Sequence, residues 1–203
     1  MAESVRPAVD AVFTRLKSAA FLELVDRARR GDRTSSAMMI TWIQPAIVRY
    51  CRARIGRSGS VFASADDVAQ EIIAGVLKAL PSFTDDSRAF MPFVYGIASN
   101  KVADHYRRVA RERCETVPEV PDAPDVGPGP EQVAVRHELT GRMAALLATM
   151  APRQREILVL RLVVGLTATE IAKTMSMSPT AVRVAQHRAL MALRGRLKAE
   201  DWL

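Results

Sequence analysis

The 203-residue sequence predicts an all-α protein of two helical domains joined by a flexible, proline-rich linker. Three observations lead there. Apolar residues recur at helical spacing in both halves, from Phe21, Leu24, Val25 and Ala28 to Val182, Ala185, Ala189 and Leu193. No run of alternating apolar and polar residues marks a strand. Between the halves, residues 115–135 carry Pro118, Pro121, Pro124, Pro128 and Pro130 with five acids and no Lys or Arg. So many prolines remove the backbone donors that a helix or sheet needs, which leaves an extended tether. Charge divides the chain at the same place: net +6 for residues 1–114, −5 for the linker and +6 for residues 136–203. The expected units are therefore 18–114, 115–135 and 136–203.

The elements follow in order. Residues 20–30 form a helix that Gly31-Asp32 stops. Helical periodicity resumes over 36–56 (Ile40, Ile43, Ile47, Tyr50, Cys51), with a kink or break expected at Pro45. Ser64 caps a third helix with Asp66 and Asp67 in its first turn, where the helix dipole favours acids, and Pro81 ends it. A loop rich in turn residues leads into a long helix over 90–113. In the second half the pattern gives helices over 136–150, 152–164, 168–175 and 179–197.

Composition narrows the function. Lys plus Arg number 29 and Asp plus Glu 22, giving +7 and a pI near 10.0. That balance favours a polyanionic partner, nucleic acid before an anionic membrane surface. Cys51 and Cys114 are too few for a disulfide framework or a four-thiolate zinc site, and read as packing residues. No apolar run is long enough to span a membrane and the N-terminus lacks a signal-peptide core, so the expected location is the cytoplasm with no stable membrane insertion. There is no P-loop, dinucleotide-binding glycine pattern or H-E-x-x-H, and His105, His137 and His187 are scattered. No enzyme activity, catalytic residue, metal or cofactor is expected.

The strongest local signal is a helix-turn-helix over residues 167–194. Thr167 and Glu170 form a T-x-x-E capping box, Ser176-Met177-Ser178 makes the turn, and Ser178 with Pro179 starts the second helix. Thr180, Arg183, Val184, His187 and Arg188 then share the outward face that such a motif lays in the major groove, with Gln186 at its edge. In the first half, Asp67, Gln70, Glu71 and Ala74 share one acidic, polar face of a basic module. Residues 89–108 interleave aromatics with Asn100, Lys101, His105, Arg107 and Arg108, a combination suited to unstacked bases and phosphates; Phe93, Ile97 and Val102 belong to the core in any case. A helix-turn-helix regulator that binds DNA without polymerase, as a dimer on a palindrome, is the alternative these features leave open.

In order, these pieces resemble the extracytoplasmic-function (ECF, group IV) sigma factors of the sigma-70 family, over about residues 18–113 and 136–197. ADDVAQEIIAGVLKAL is similar to the family's core-binding helix, FMPFVYGIASNKVADHYRR to its promoter-melting helix, and the segment from Leu147 to Arg194 to its −35 reader. The wording of RYCRARIG, ADDVAQE and AVRVAQHRAL resembles the sigma-D branch most. The resemblance implies a region 2-like helical bundle and a region 4-like helix-turn-helix in an alternative sigma factor. Such a protein binds core RNA polymerase through the β′ clamp helices and the β flap, directs it to promoter DNA and helps open it.

By the same resemblance Asp67, Gln70, Glu71, Ile73 and Leu77 would dock on the polymerase. Phe83, Arg88, Asn100, Lys101, Asp104, Arg107 and Arg108 would meet the −10 element, where the loop from Pro81 to Ala89 cups a flipped base. Thr180, Arg183, Val184, His187 and Arg188 would meet the −35 element. An anti-sigma partner is implied, with the chain monomeric when free or 1:1 with that partner. The acidic linker would lie near the active-site and RNA-exit channels as a nucleic-acid mimic. One departure stands in the turn, where Met175-Ser176-Met177-Ser178 replaces the usual Leu-Gly-x-Ser.

Overall fold

A computed structural model describes residues 14–55, 64–115, 146–147 and 149–199, with the side chains of 112–115, 198 and 199 left out. Helix α1 (Ala19–Arg29) is capped by Ser18, whose hydroxyl accepts from the Phe21 N–H, and buries Phe21, Val25 and Ala28. Gly31 then turns the chain at φ +92°, a conformation that suits glycine. The carboxylate of Asp32 accepts from the Thr34 N–H and the Ser35 hydroxyl, so helix α2 (Arg33–Ile55) starts three residues before the periodicity does.

Helix α2 runs through Pro45 without a break, which leaves a kink as the remaining one of the two expected outcomes. Proline removes one intrahelical donor, but Ile43, Ala46, Ile47 and Tyr50 on either side are fully buried. Burial of those side chains outweighs one lost hydrogen bond. Helix α3 (Ala65–Ala79) begins with a reciprocal box: Ser64 Oγ accepts from the Asp67 N–H, and an Asp67 oxygen accepts from the Ser64 N–H at 2.8 Å. Two short 3₁₀ turns, Leu80–Ser82 and Ser87–Ala89, lead into helix α4 (Phe90–Glu115).

The first module is thus a bundle of α1 to α4 around Phe21, Met39, Ile43, Ile47, Val68, Ile72, Val76, Phe90 and Val94. Cys51 is wholly buried in it, and burial pushes its thiol up to about 12, so it packs rather than reacts.

In the second module, helix α5 (Pro152–Leu158) widens into a π-helical turn at Val159–Val163, where a single α-helix is expected. Helices α6 (Ala168–Met175) and α7 (Pro179–Ala199) form the helix-turn-helix. The linker beyond Glu115, the expected helix over 136–150 except for a few residues at its end, and His137 lie outside the described residues.

The two modules pack together. Val159, Leu160, Val164, Leu166, Ile171 and Val182 join the same buried cluster as α1 to α4. The π-helical turn rests on α2, and α6 rests on α4. The seam is incompletely filled. A cavity of about 260 Å³ remains there, lined in part by Leu22, Met91, Tyr95, Val164 and Leu166. Among the described residues the buried Tyr95 hydroxyl has no hydrogen-bond partner.

Candidate functional site

The first candidate surface is the outer side of α3. Its inner side buries Val68, Ala69, Ile72 and Val76. That leaves Gln70 and Leu77 exposed and Ile73 half-buried on the outside, with Leu77 39% accessible. Asp67 lies at the start of this face, but its carboxylate also closes the Ser64 box, which holds it below the usual carboxylate range. Glu71 behaves differently from the others. It reaches across to α4, 3.0 Å from Arg108 and 3.5 Å from Lys101. Partial burial works against ionisation, and Arg108 and Lys101 outweigh it, so the carboxyl titrates below its ordinary value.

The second surface is the exposed side of α4. Asn100, Asp104, Arg107 and Arg108 are exposed and Lys101 half-buried along successive turns. Asp104 is ion-paired with Arg107. Arg88 is exposed in the preceding loop, where Asp86 caps the Arg88 N–H. Phe83 is not on this surface. It is 4% exposed and packs edge-on against Phe90 and 4.9 Å from Phe93. Its side chain fixes the loop from inside, so only the exposed loop residues around it can face a strand.

The third surface is the outer side of α7, the second helix of the helix-turn-helix. Thr167 and Glu170 form the expected capping box on α6, and Ser178 Oγ accepts from the Ala181 N–H to start α7. Val182 and Ala189 are buried, while Thr180, Arg183, Val184, His187 and Arg188 are all exposed. Gln154 was not singled out in the sequence, yet it lines one shallow groove with Thr180, Val184 and Arg188. A polar residue two positions past the α5 start was the available signal.

The turn itself survives the missing glycine. Ser176 takes the left-handed conformation, φ 51° and ψ 50°, and the Met177 N–H closes on the Ala172 carbonyl at 2.9 Å. A left-handed non-glycine residue costs about 1–2 kcal/mol, and glycine loses about 0.5–1 kcal/mol more entropy on folding. Ser176→Gly is therefore expected to stabilise the chain by about 0.5–1 kcal/mol and raise its melting temperature by a few degrees. An unchanged or lower thermal midpoint by circular dichroism contradicts the strain argument.

A fourth group joins the modules. Glu156 on α5 is 3% exposed. The Tyr50 hydroxyl donates to Glu156 Oε1 at 2.6 Å, and Arg54 Nε lies 2.7 Å from Oε2. Burial, with Glu156 beside it, pushes the Tyr50 hydroxyl well above its ordinary range. Lys17 approaches Glu170 to 3.5 Å, and the Thr174 hydroxyl lies 3.3 Å from the Pro92 carbonyl. Sequence reasoning passed over Glu156, although an acid four residues before Leu160 on an inward stripe was a visible anomaly.

Comparison with known proteins bears on these surfaces directly. The sigma-70 region 2 family matches residues 39–112, and the sigma-70 region 4 family matches 140–193. The ECF RNA polymerase sigma factor SigD of Mycobacterium tuberculosis is 44% identical over 176 residues, covering 87% of this chain and 83% of SigD. The chain belongs to the ECF sigma factors. ShbA of Streptomyces griseus, also an ECF RNA polymerase sigma factor, is 45% identical over 175 residues, 84% of this chain and 92% of ShbA. The solved structure of CnrH in complex with the cytosolic domain of CnrY has the same fold, with TM-score 0.65 and 24% identity over 89% of this chain and 98% of that one. As an ECF sigma factor the chain is an alternative initiation factor rather than a stand-alone regulator. No helix among the described residues is long and apolar enough to cross a membrane.

Proposed function

We propose that the first module docks on core polymerase through the outer side of α3 and reads the −10 element with α4, and that the second reads the −35 element with α7. The observation that carries the docking assignment is Leu77, a large apolar side chain left 39% exposed beside Gln70 and Ile73 on a helix whose other side is core. Asp67 adds an acid to that face. The −10 set is Asn100, Lys101, Asp104, Arg107 and Arg108 with Arg88 from the loop; the −35 set is Thr180, Arg183, Val184, His187 and Arg188, with Gln154 beside it. Residues 18–114 and 136–203 act as the two working units, and the acidic stretch between them as the tether near the transcript channel. A regulatory anti-sigma protein is part of this reading.

Asp67 is a poor probe of docking, because its removal also opens the Ser64 cap. Gln70→Arg and Leu77→Arg test the same face without touching a cap. Each is expected to abolish co-elution with core polymerase and run-off transcription while the melting temperature stays within a degree or two. Wild-type co-elution by both variants sinks the docking assignment.

Promoter engagement also requires the modules to part. Elements centred near −10 and −35 lie about 25 base pairs apart, or about 85 Å along B-DNA. Modules joined by the Tyr50–Glu156 hydrogen bond cannot reach both. The packed arrangement is thus the chain off DNA.

A further inference from the structure

We propose that Glu71 is an internal stand-in for a DNA phosphate, holding Lys101 and Arg108 on the strand-reading side of α4 until a nucleic-acid backbone displaces it. The proposal rests on the reading of α4 as the −10 helix. Glu71 stands on α3, and its two oxygens are shared out: Oε1 lies 3.0 Å from Arg108 Nη2 and Oε2 lies 3.5 Å from Lys101 Nζ. Lys101 and Arg108 are seven residues apart, two turns along one stripe of α4, so one carboxylate facing them from α3 reaches both, while Asp104, which lies between them on α4, pairs with Arg107. Arginine pairs with carboxylate and phosphate oxygens through the same donor geometry, so the position suits either anion.

The contact is also built to be exchangeable. All three side chains are 35–43% accessible, where ion pairs contribute at most about 1 kcal/mol each. Glu71 therefore orders the two cations without locking them. In the same position it repels any backbone that arrives without enough contacts to displace it. Asp104, paired with Arg107 on the exposed side of α4, keeps a further cation occupied.

The test titrates the full chain against a fluorescein-labelled, mixed-sequence single strand, by fluorescence anisotropy at several KCl concentrations. Glu71→Gln keeps shape and removes charge. It is expected to raise affinity about fivefold at low salt and to steepen the dependence of log K on log[salt] by about 1.4, as two cations become available to the phosphates of a single strand. Lys101→Ala with Arg108→Ala is expected to weaken binding, and Glu71→Gln added to that pair to give no further gain. An unchanged or lower affinity for Glu71→Gln overturns the proposal. So does a gain that persists without Lys101 and Arg108, because it then reflects net charge alone. Loss of polymerase co-elution with unchanged strand affinity makes Glu71 a polymerase contact instead. If removing Lys101 and Arg108 leaves strand binding intact, the fault lies with the −10 reading of α4 itself, and the role of Glu71 falls with it.

Discussion

Replacing Glu156 by Ala is expected to pull the two modules of the free chain apart. The substitution leaves Arg54, only 8% accessible, buried without its counter-charge, and strips the Tyr50 hydroxyl of its acceptor. Breaking one partner of a buried pair costs about 3–5 kcal/mol. The apolar contacts of Val159, Leu160, Val164 and Ile171 oppose that loss, but the seam is weakened by a cavity of about 260 Å³ and by a Tyr95 hydroxyl with no partner among the described residues. Small-angle scattering should show a larger radius of gyration for Glu156→Ala than for the parent chain. The triple variant Tyr50→Phe, Arg54→Met, Glu156→Leu should behave oppositely, because apolar replacement of a whole buried polar group is often neutral or stabilising by about 1–4 kcal/mol. It should stay compact, melt higher and initiate transcription less well. A Glu156→Ala chain as compact and as stable as the parent rules out the pair as the closure.

Arg183→Ala and Arg188→Ala are expected to reduce transcription from promoters that depend on a −35 element, each by about 1–3 kcal/mol in effective affinity. Both side chains are exposed on α7, clear of the seam, so neither substitution should alter compactness. Polymerase co-elution should survive in both. Equal activity on promoters with and without a −35 element, in the variants and the parent alike, contradicts the assignment of α7.

Local chemistry was legible in the sequence where short-range rules decide the outcome. The Ser64 and Thr167 caps, the Gly31 stop and the Ser178-Pro179 start of α7 all involve partners within three residues of each other. The recognition face followed from helical spacing alone. Of the two outcomes expected at Pro45 the break does not occur, because the rule for proline counts one lost donor, whereas the flanking Ile43, Ala46, Ile47 and Tyr50 gain burial from other elements.

The contacts that reshape the sites are long-range. Glu71 meets α4 partners 30 and 37 residues away, and Glu156 meets Tyr50 across 106 residues. Nothing in a linear pattern fixes those distances. Phe83 illustrates the same limit. The family resemblance sets it against the −10 element, whereas its packing on Phe90 and Phe93 makes it part of the core.

Gly75 has a mechanical consequence. A methyl group there would meet the Ile97 side chain at 3.2 Å, so the third and fourth helices touch almost backbone to side chain, with no cushion between them. So close an approach leaves little room for the two helices to slide past each other, and in the proposed docking a tilt imposed on the third helix would be passed to the fourth.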